Sequence, residues 1–338
     1  MAKIILSREA YFHNLDIIAQ KVGEVSKIAV VLKDNAYGHG LLEMAKLSHE
    51  YGLTQAVVHN VKEAEVIKAY FEKILILAGH EYVSDTKYNY VINTLEQIEK
   101  IPEGTQVELK VDTGMHRNGV AMTEVEAALV SIQKQGLLLQ GVMTHQRSAD
   151  TLSSEWFWQR ENFKTVKAEV LRLQASLDFQ TPRFHSGNSA STFRFQAFDE
   201  DLVRVGIAAY GCLQMDKGLE QPKMRPVMRL VAQKIATRTL LKGEHVGYNA
   251  TYRSEKEMVV STYDVGYADG LLRAASNRYT TPEGEQLLGR VSMDNSTFSG
   301  ERTSLVIFDD VNSYAQAASS IGYEVLVGLH PEIARVVV

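Results

Sequence analysis

Eight short apolar runs, separated by segments with helical spacing, limit how the first two thirds of this chain can fold. Such alternation is typical of βα units built around a parallel sheet. Eight units within about 220 residues come close to the ~250 residues of a (β/α)8 barrel, which we predict in preference to an open doubly wound sheet. The runs lie at residues 28–32, 55–59, 74–78, 90–93, 107–111, 138–144, 183–185 and 203–208.

The periodicity of the sequence changes about two thirds of the way along. Before that point, residues 61–71 and 153–178 have helical spacing. After it, β-branched residues alternate with polar ones, and helical spacing returns only near residues 315–321. We therefore predict a (β/α)8 barrel at residues 1–224 and a β-rich domain at residues 225–338.

Composition limits the kinds of molecule that the protein is expected to bind. The formal net charge is −5, without a basic stripe for nucleic acid or a polybasic segment for an anionic membrane. No apolar stretch approaches the roughly 18 residues that span a bilayer, and the N-terminus does not resemble a secretory signal. The single cysteine, Cys212, has no partner for a disulfide or a zinc site. We expect a cytoplasmic protein with a small-molecule partner and no metal.

The first chemical signal is the block VLKDNAYGHG at residues 31–40. Lys33 follows the first barrel strand, and the C-terminal strand ends of such barrels build the active site. A lysine pointing into that mouth is a candidate Schiff-base amine. Taken alone, a lysine at an arbitrary position is more often a solvated surface residue.

The block resembles the cofactor-lysine signature of the alanine racemases, a fold-type III pyridoxal-phosphate family. The similarity recurs in order through six further blocks, at residues 107–120, 185–194, 203–211, 245–252, 265–273 and 289–295. The resemblance implies pyridoxal 5'-phosphate as cofactor and a homodimer with shared active sites. It also implies interconversion of L-alanine and D-alanine, which supplies D-alanine for peptidoglycan or breaks it down.

The resemblance assigns several residues to the cofactor. Lys33 binds it covalently, Tyr37 and Ser189 reach its phosphate, and the backbone of two residues donates to that phosphate. Arg204 faces the pyridine nitrogen; a guanidinium does not readily give up its proton, which disfavours transamination. The full set is Lys33, Tyr37, His145, Ser189, Arg204, Gly206 and Ile207.

Racemisation removes a proton from one face of the substrate α-carbon and returns another on the opposite face. By resemblance, Lys33 serves one face, and Tyr248, contributed by the other subunit, serves the second. A phenol is a weak base at neutral pH, so cationic neighbours are needed. His145 and Arg204 are the expected chain of partners for Tyr248.

Arg117 matches the family arginine that contacts the substrate carboxylate, and Met293 matches a backbone donor from the second subunit. Lys110 aligns with a lysine that is carbamylated in several relatives and positions that arginine. An increase in native mass would support a carbamate. The residues that resemble those narrowing the substrate corridor, and so favour alanine over serine, are Tyr252, Tyr267 and Arg273.

The sequence departs from the family pattern at three positions. Pro331 stands where the family commonly has a tyrosine that touches the phosphate, and His330 is a guess at its substitute. His116 replaces a usual glycine, and Asp34 a common alanine. We expect these departures to affect cofactor affinity and the Arg117 loop rather than the two bases.

Two other functions stay open. A fold-type III decarboxylase shares the barrel and the lysine, but usually has a cysteine in the second subunit's contribution to the site, whereas Cys212 lies in the predicted barrel. A non-catalytic pyridoxal-phosphate homeostasis protein shares a similar barrel but lacks the β-rich domain.

Overall fold

A nearly closed ring of parallel strands forms the first part of the molecule, whose computed structural model describes residues 1–177 and 179–338. Parallel pairs join β11, β2, β3, β4, β5, β6, β8 and β9 in that order, and β10 pairs with β11. All eight predicted strands are present, which confirms the barrel. The strands are β1 (Lys3–Leu6), β2 (Ile28–Val31), β3 (Gln55–Val58), β4 (Lys73–Ile76), β5 (Tyr88–Ile92), β6 (Gln106–Asp112), β7 (Val120–Ala121), β8 (Leu138–Met143), β9 (Arg183–His185), β10 (Gly187–Asn188) and β11 (Val203–Val205).

Helices follow the strands on the outside of the ring. The helix predicted at residues 61–71 ends earlier, at Ile67. The one predicted at residues 153–178 is observed at residues 155–177, and Asp178 lies outside the described residues. No helix in the described ranges is long and apolar enough to cross a membrane. The helices are α1 (Arg8–Val22), α2 (Lys33–Tyr37), α3 (Leu41–Tyr51), α4 (Val61–Ile67), α5 (Leu95–Ile98), α6 (Val125–Lys134), α7 (Glu155–Leu177) and α8 (Ser189–Thr192).

The last third of the chain is rich in strands, as predicted. The helical stretch expected near residues 315–321 is confirmed only in part: one helix ends at Ala317, Ser319 has a positive φ of 56°, and a second helix begins at Gly322. The strands are β12 (Met228–Leu240), β13 (His245–Val246), β14 (Tyr252–Arg253), β15 (Met258–Tyr263), β16 (Leu287–Leu288), β17 (Ser296–Ser299), β18 (Ser304–Phe308) and β19 (Ala334–Val337), and the helices are α9 (Val311–Ala317) and α10 (Gly322–Gly328).

Strand β1 lies in the second sheet and not in the barrel. It pairs antiparallel with β12 and parallel with β19, and its side chains Ile4 and Leu6 are fully buried. One buried apolar cluster joins these residues to both parts of the chain. The sheet therefore draws on both ends of the sequence, while the boundary near residue 224 stays a prediction.

Candidate active site

A left-handed turn carries Lys33 and Tyr37 at the mouth of the barrel. Asp34, Asn35, Ala36 and Tyr37 have φ values of 55°, 56°, 52° and 52°. L-residues in this conformation cost roughly 1–2 kcal/mol each, and such strain concentrates at functional sites. The turn places the Lys33 ammonium 6.0 Å from the centroid of the Tyr37 ring and 3.3 Å from the Asp34 carboxylate.

Two side chains hold this turn in place. The buried His39 donates from Nδ1 to the carbonyls of Ala36 and Tyr37, at 3.2 and 3.0 Å. Arg335, on β19, donates from Nε and Nη2 to the Gly38 carbonyl, at 3.1 and 2.9 Å. The C-terminal strand-rich region thus helps to fix the geometry of the lysine-bearing turn.

Two of the three departures from the family pattern lie in left-handed backbone. Asp34 has a φ of 55°, and His116, which replaces a usual glycine, has a φ of 54°. The amide of His116 donates to the side chain of Asp112 at 3.1 Å. Aspartate and histidine are among the residues that tolerate positive φ best, so the substitutions fit their backbone.

Three hydrogen-bonding groups, the Ser189 hydroxyl and the backbone amides of Gly206 and Ala208, form a small cradle after the last two barrel strands. The Ser189 hydroxyl accepts hydrogen bonds from the amides of Gly206 and Ala208, at 3.0 and 3.3 Å. The sequence motif pointed to Ile207 beside Gly206, whereas the amides that converge on Ser189 are those of Gly206 and Ala208. Amides and a hydroxyl that converge in this way suit a phosphate group.

Gly206 also leaves room for Tyr37. A Cβ atom at residue 206 would lie 2.9 Å from the Tyr37 hydroxyl and 3.0 Å from Cζ. The Tyr37 ring packs against Tyr210 and Tyr323, with centroids 5.4 and 5.9 Å away, so it has little room to retreat. The glycine is therefore needed for the hydroxyl to reach the cradle.

We expect Gly206→Ala to weaken pyridoxal 5'-phosphate binding by roughly tenfold, because it displaces one phosphate donor, and lost charge-assisted hydrogen bonds cost about 1.5–3 kcal/mol. Equilibrium titration of apoenzyme with pyridoxal 5'-phosphate measures this. Titration with pyridoxal, which lacks the phosphate, is the control and should show little change. An equal loss for both ligands would contradict the phosphate assignment.

His145 is half-buried, and four cationic side chains lie near it. Burial lowers the pKa of His145 to about 3, and the nearby charges of Arg204, Lys110, Arg117 and Lys33 act in the same direction. The imidazole is therefore neutral at physiological pH. A cluster of cations around a neutral ring suits a ligand that carries several negative charges.

Lys110, one of these cations, is buried on β6 near Arg117 and Arg204. Burial, together with Arg117 and Arg204, lowers its pKa to about 8. Its Nζ donates to the Asn118 side-chain oxygen at 2.5 Å. A substantial fraction of this lysine is neutral at physiological pH, which is the form that reacts with carbon dioxide. The carbamate nevertheless stays a prediction.

Arg204 has a partner that the sequence analysis missed. Its Nη1 lies 2.5 Å from Nδ1 of His185, and its Nη2 donates to the Thr144 carbonyl at 2.7 Å. No hydrogen bond joins Arg204 to His145 among the described residues. Burial lowers the pKa of Arg204 to about 10, so the guanidinium remains charged at neutral pH.

The residues expected from the second region lie on its surface. Tyr248, Met293 and Tyr267 are 62%, 54% and 43% exposed, and Arg273 is exposed beside a cavity of about 400 Å³. Tyr252 is partly buried and donates to the Met258 sulfur. Within the described part of the chain, the Tyr248 phenol has no hydrogen-bond partner and is largely exposed.

Tyr323, and not His330, packs against Tyr37 from the C-terminal region. Its ring packs on that of Tyr37, whereas His330 is exposed and accepts a bond from the amide of Glu332. The guess that His330 replaces the missing tyrosine gains no support from this geometry. Tyr323 stands eight residues before Pro331, where no motif marked it.

Two family models match nearly the whole chain. Models of the "Alanine racemase, N-terminal domain" and the "Alanine racemase, C-terminal domain" match residues 6–214 and 227–337. The chain belongs to the alanine racemase family.

The similarity to individual alanine racemases extends over the full length. The alanine racemase of a Nitratiruptor species is 44% identical over 99% of both chains. That of Campylobacter curvus is 42% identical, again over 99% of both. The structure of alanine racemase from E. faecalis superposes with a TM-score of 0.86 at 26% identity, covering 100% of this chain and 98% of the other. That from Bacillus anthracis, with bound L-Ala-P, has a TM-score of 0.88 at 25% identity, covering 100% and 95%.

Proposed function

We propose that this protein racemises alanine with two bases, Lys33 of its own barrel and Tyr248 of a partner subunit. Membership of the family makes interconversion of L-alanine and D-alanine the activity of the chain, and pyridoxal 5'-phosphate its cofactor. The observation that carries the proposal for this chain is the convergence of Lys33, the Ser189 and Gly206 cradle and Arg204 at one mouth of the barrel.

The residues at this mouth fit the cofactor. Lys33 provides a half-buried amine, Ser189 and the amide of Gly206 a phosphate cradle, and the close approach of Tyr37 a further donor. Arg204 provides a fixed positive charge for the pyridine nitrogen. When bound, the cofactor acidifies the substrate α-proton by delocalising the charge left on the α-carbon.

The protein's own groups then hold and move protons. The Lys33 amine takes the proton from one face of the α-carbon and the Tyr248 phenol returns one on the other. Arg117 and the Met293 amide of the partner subunit hold the substrate carboxylate. A carbamate on Lys110 would place an anion beside Arg117 and remove the repulsion between the two cations.

A homodimer would complete this site. Tyr248, Tyr267 and Met293 are large side chains with an apolar body, and all three are more than 40% exposed. Exposed apolar side chains grouped by sequence motif are typical of a subunit interface. A second copy would bring them over Lys33, and Tyr267 with Arg273 would then restrict the corridor to small amino acids.

The proposal is tested by adding pyridoxal 5'-phosphate to the purified protein and following two signals. We expect a visible absorbance band that is lost in Lys33→Ala, and decay of the circular dichroism of both L-alanine and D-alanine. A band without inversion, together with carbon dioxide release from lysine, ornithine or diaminopimelate, would identify a decarboxylase. A band with neither reaction would indicate a cofactor carrier. The cellular assignments, a cytoplasmic location and D-alanine supply for peptidoglycan or its breakdown, stay proposals.

A further inference from the structure

Four polar side chains form a chain of contacts across the interior of the barrel. Arg183 donates from Nε to Oε1 of Glu108 at 2.9 Å, and Oε2 of Glu108 lies 2.6 Å from Nε2 of His185. Nδ1 of His185 in turn lies 2.5 Å from Nη1 of Arg204. Glu108 and His185 have no solvent exposure. This chain of side chains therefore connects Arg183 to Arg204, the residue proposed to face the pyridine nitrogen. The two groups between them are shielded from water.

The direction of each hydrogen bond in this chain is determined by the groups involved. A guanidinium has donors only, so Nδ1 of His185 must accept from Arg204. The ring proton of a neutral His185 is then on Nε2, which donates to Glu108. Burial lowers the pKa of His185 to about 4, in agreement with a neutral ring.

Glu108 is an acceptor at both oxygens. Burial acts to raise its pKa, but Arg183 and His185 hold the pKa far below its usual value. Oε1 also accepts a hydrogen bond from the side-chain amide of Asn89 at 2.9 Å. Because Oε1 is occupied by Asn89 and Arg183, the oxygen that faces His185 is Oε2. An ionised Oε2 can only accept, which leaves His185 a single tautomer compatible with both neighbours.

We propose that Glu108 is a positioning residue: by fixing the Nε2–H tautomer of His185 it sets the orientation of Arg204. The remaining hydrogen bonds of Arg204 go to the backbone carbonyls of Thr144, His185 and Ser186. His185 is thus its side-chain partner among the described residues. The inference rests on the function proposed above for Arg204 at the pyridine nitrogen.

The variant Glu108→Gln separates this role from simple packing. Glutamine has nearly the same shape but carries an N–H group that can face Nε2 of His185. That arrangement moves the ring proton to Nδ1, where it meets an N–H group of Arg204. Two buried donors cannot satisfy each other, so we expect Arg204 to shift away.

Nitrogen-15 NMR of histidine-labelled apoenzyme tests the tautomer without any cofactor. We expect the wild-type His185 to carry its proton on Nε2, and the E108Q protein on Nδ1. Arg183→Lys is the matched control: it changes the other side of Glu108 and should leave Oε2 ionised and the tautomer as in the wild type. In E108Q loaded with cofactor, we expect kcat for racemisation to fall roughly tenfold, as is usual for outer partners of an active-site group. Pyruvate formed per racemisation event should rise, because Arg204 no longer suppresses transamination.

A wild-type His185 that is doubly protonated, or protonated on Nδ1, would overturn the proposal even if no variant folds. An unchanged tautomer in folded E108Q would overturn it as well. These results are independent of alanine racemisation, whose absence in the wild type would instead refute the proposed function. A changed tautomer with unaltered kcat and pyruvate formation would show that Glu108 and His185 do not control the orientation of Arg204.

Discussion

A mixture of two nearly inactive variants, Lys33→Ala and Tyr248→Phe, regains alanine racemisation when their subunits exchange. Each variant lacks one base of every site; we expect losses of at least about 10⁴-fold for Lys33→Ala and about 10²-fold for Tyr248→Phe. In a mixed dimer with shared sites, one site combines both substitutions and the other combines both native residues. Random exchange therefore restores about one quarter of wild-type activity, since half of the dimers are mixed.

The double variant Lys33→Ala/Tyr248→Phe provides the matched control. Mixed with an equal amount of wild type, it yields mixed dimers in which both sites lack a base, so activity falls by about half relative to the unmixed wild type present. Circular dichroism of L-alanine measures both experiments, and native mass spectrometry, which separates mixed from unmixed dimers by their mass, verifies the exchange. If the single variants regain nothing after verified exchange, Lys33 and Tyr248 do not act across a subunit boundary.

The free energy of unfolding should fall steeply as the solution is acidified from pH 6.5 towards pH 4. Burial lowers the pKa of His39 and of His185 to about 4, and that of His145 to about 3, from 6.5. Across this interval the unfolded chain binds up to three more protons than the folded one. Stability therefore decreases as pH falls, by at most about 4.1 kcal/mol per pH unit. Glu108, whose pKa is held low, adds a loss in the same direction below its usual pKa of 4.5.

Urea unfolding at fixed protein concentration, between pH 7 and pH 4.5, measures this dependence. His39→Gln removes one of the three imidazoles, so the slope against pH should fall by about a third, whatever the variant does to stability at pH 7. A wild-type unfolding free energy that stays constant over this interval would show that these histidines are protonated without unfolding.

Much of the fold was predictable from local patterns. The barrel strands are apolar runs whose burial on all sides leaves a strong signal, as in β2 and β3. The pairing of β1 was not predictable, because its partners β12 and β19 lie far along the chain. The left-handed turn escaped prediction for a related reason: Ala36 and Tyr37 do not favour positive φ, and the contacts of Arg335 that hold the turn come from β19.

The residues of the candidate site also fall into two groups, those predicted from the sequence and those recognised only in the structure. Lys33, Ser189 and Arg204 were found through motifs, and the structure brings them to one mouth. Glu108 and His185 were missed because each sits inside a strand that was analysed only for its apolar character. A charged residue within the apolar run of β6 was the available signal, since buried carboxylates are rare unless paired. Its partner could be identified only from the geometry.

The pairing of β1 with β12 and β19 also constrains the order of assembly. Strand β1 is synthesised long before either of its partners, and β19 follows β12 by most of the strand-rich region. Until then its apolar side chains and unpaired backbone are available for wrong pairing, and long-range strand pairing is slow. The second sheet therefore cannot be completed until β19 has been synthesised, and one edge of β1 must stay unpaired until then.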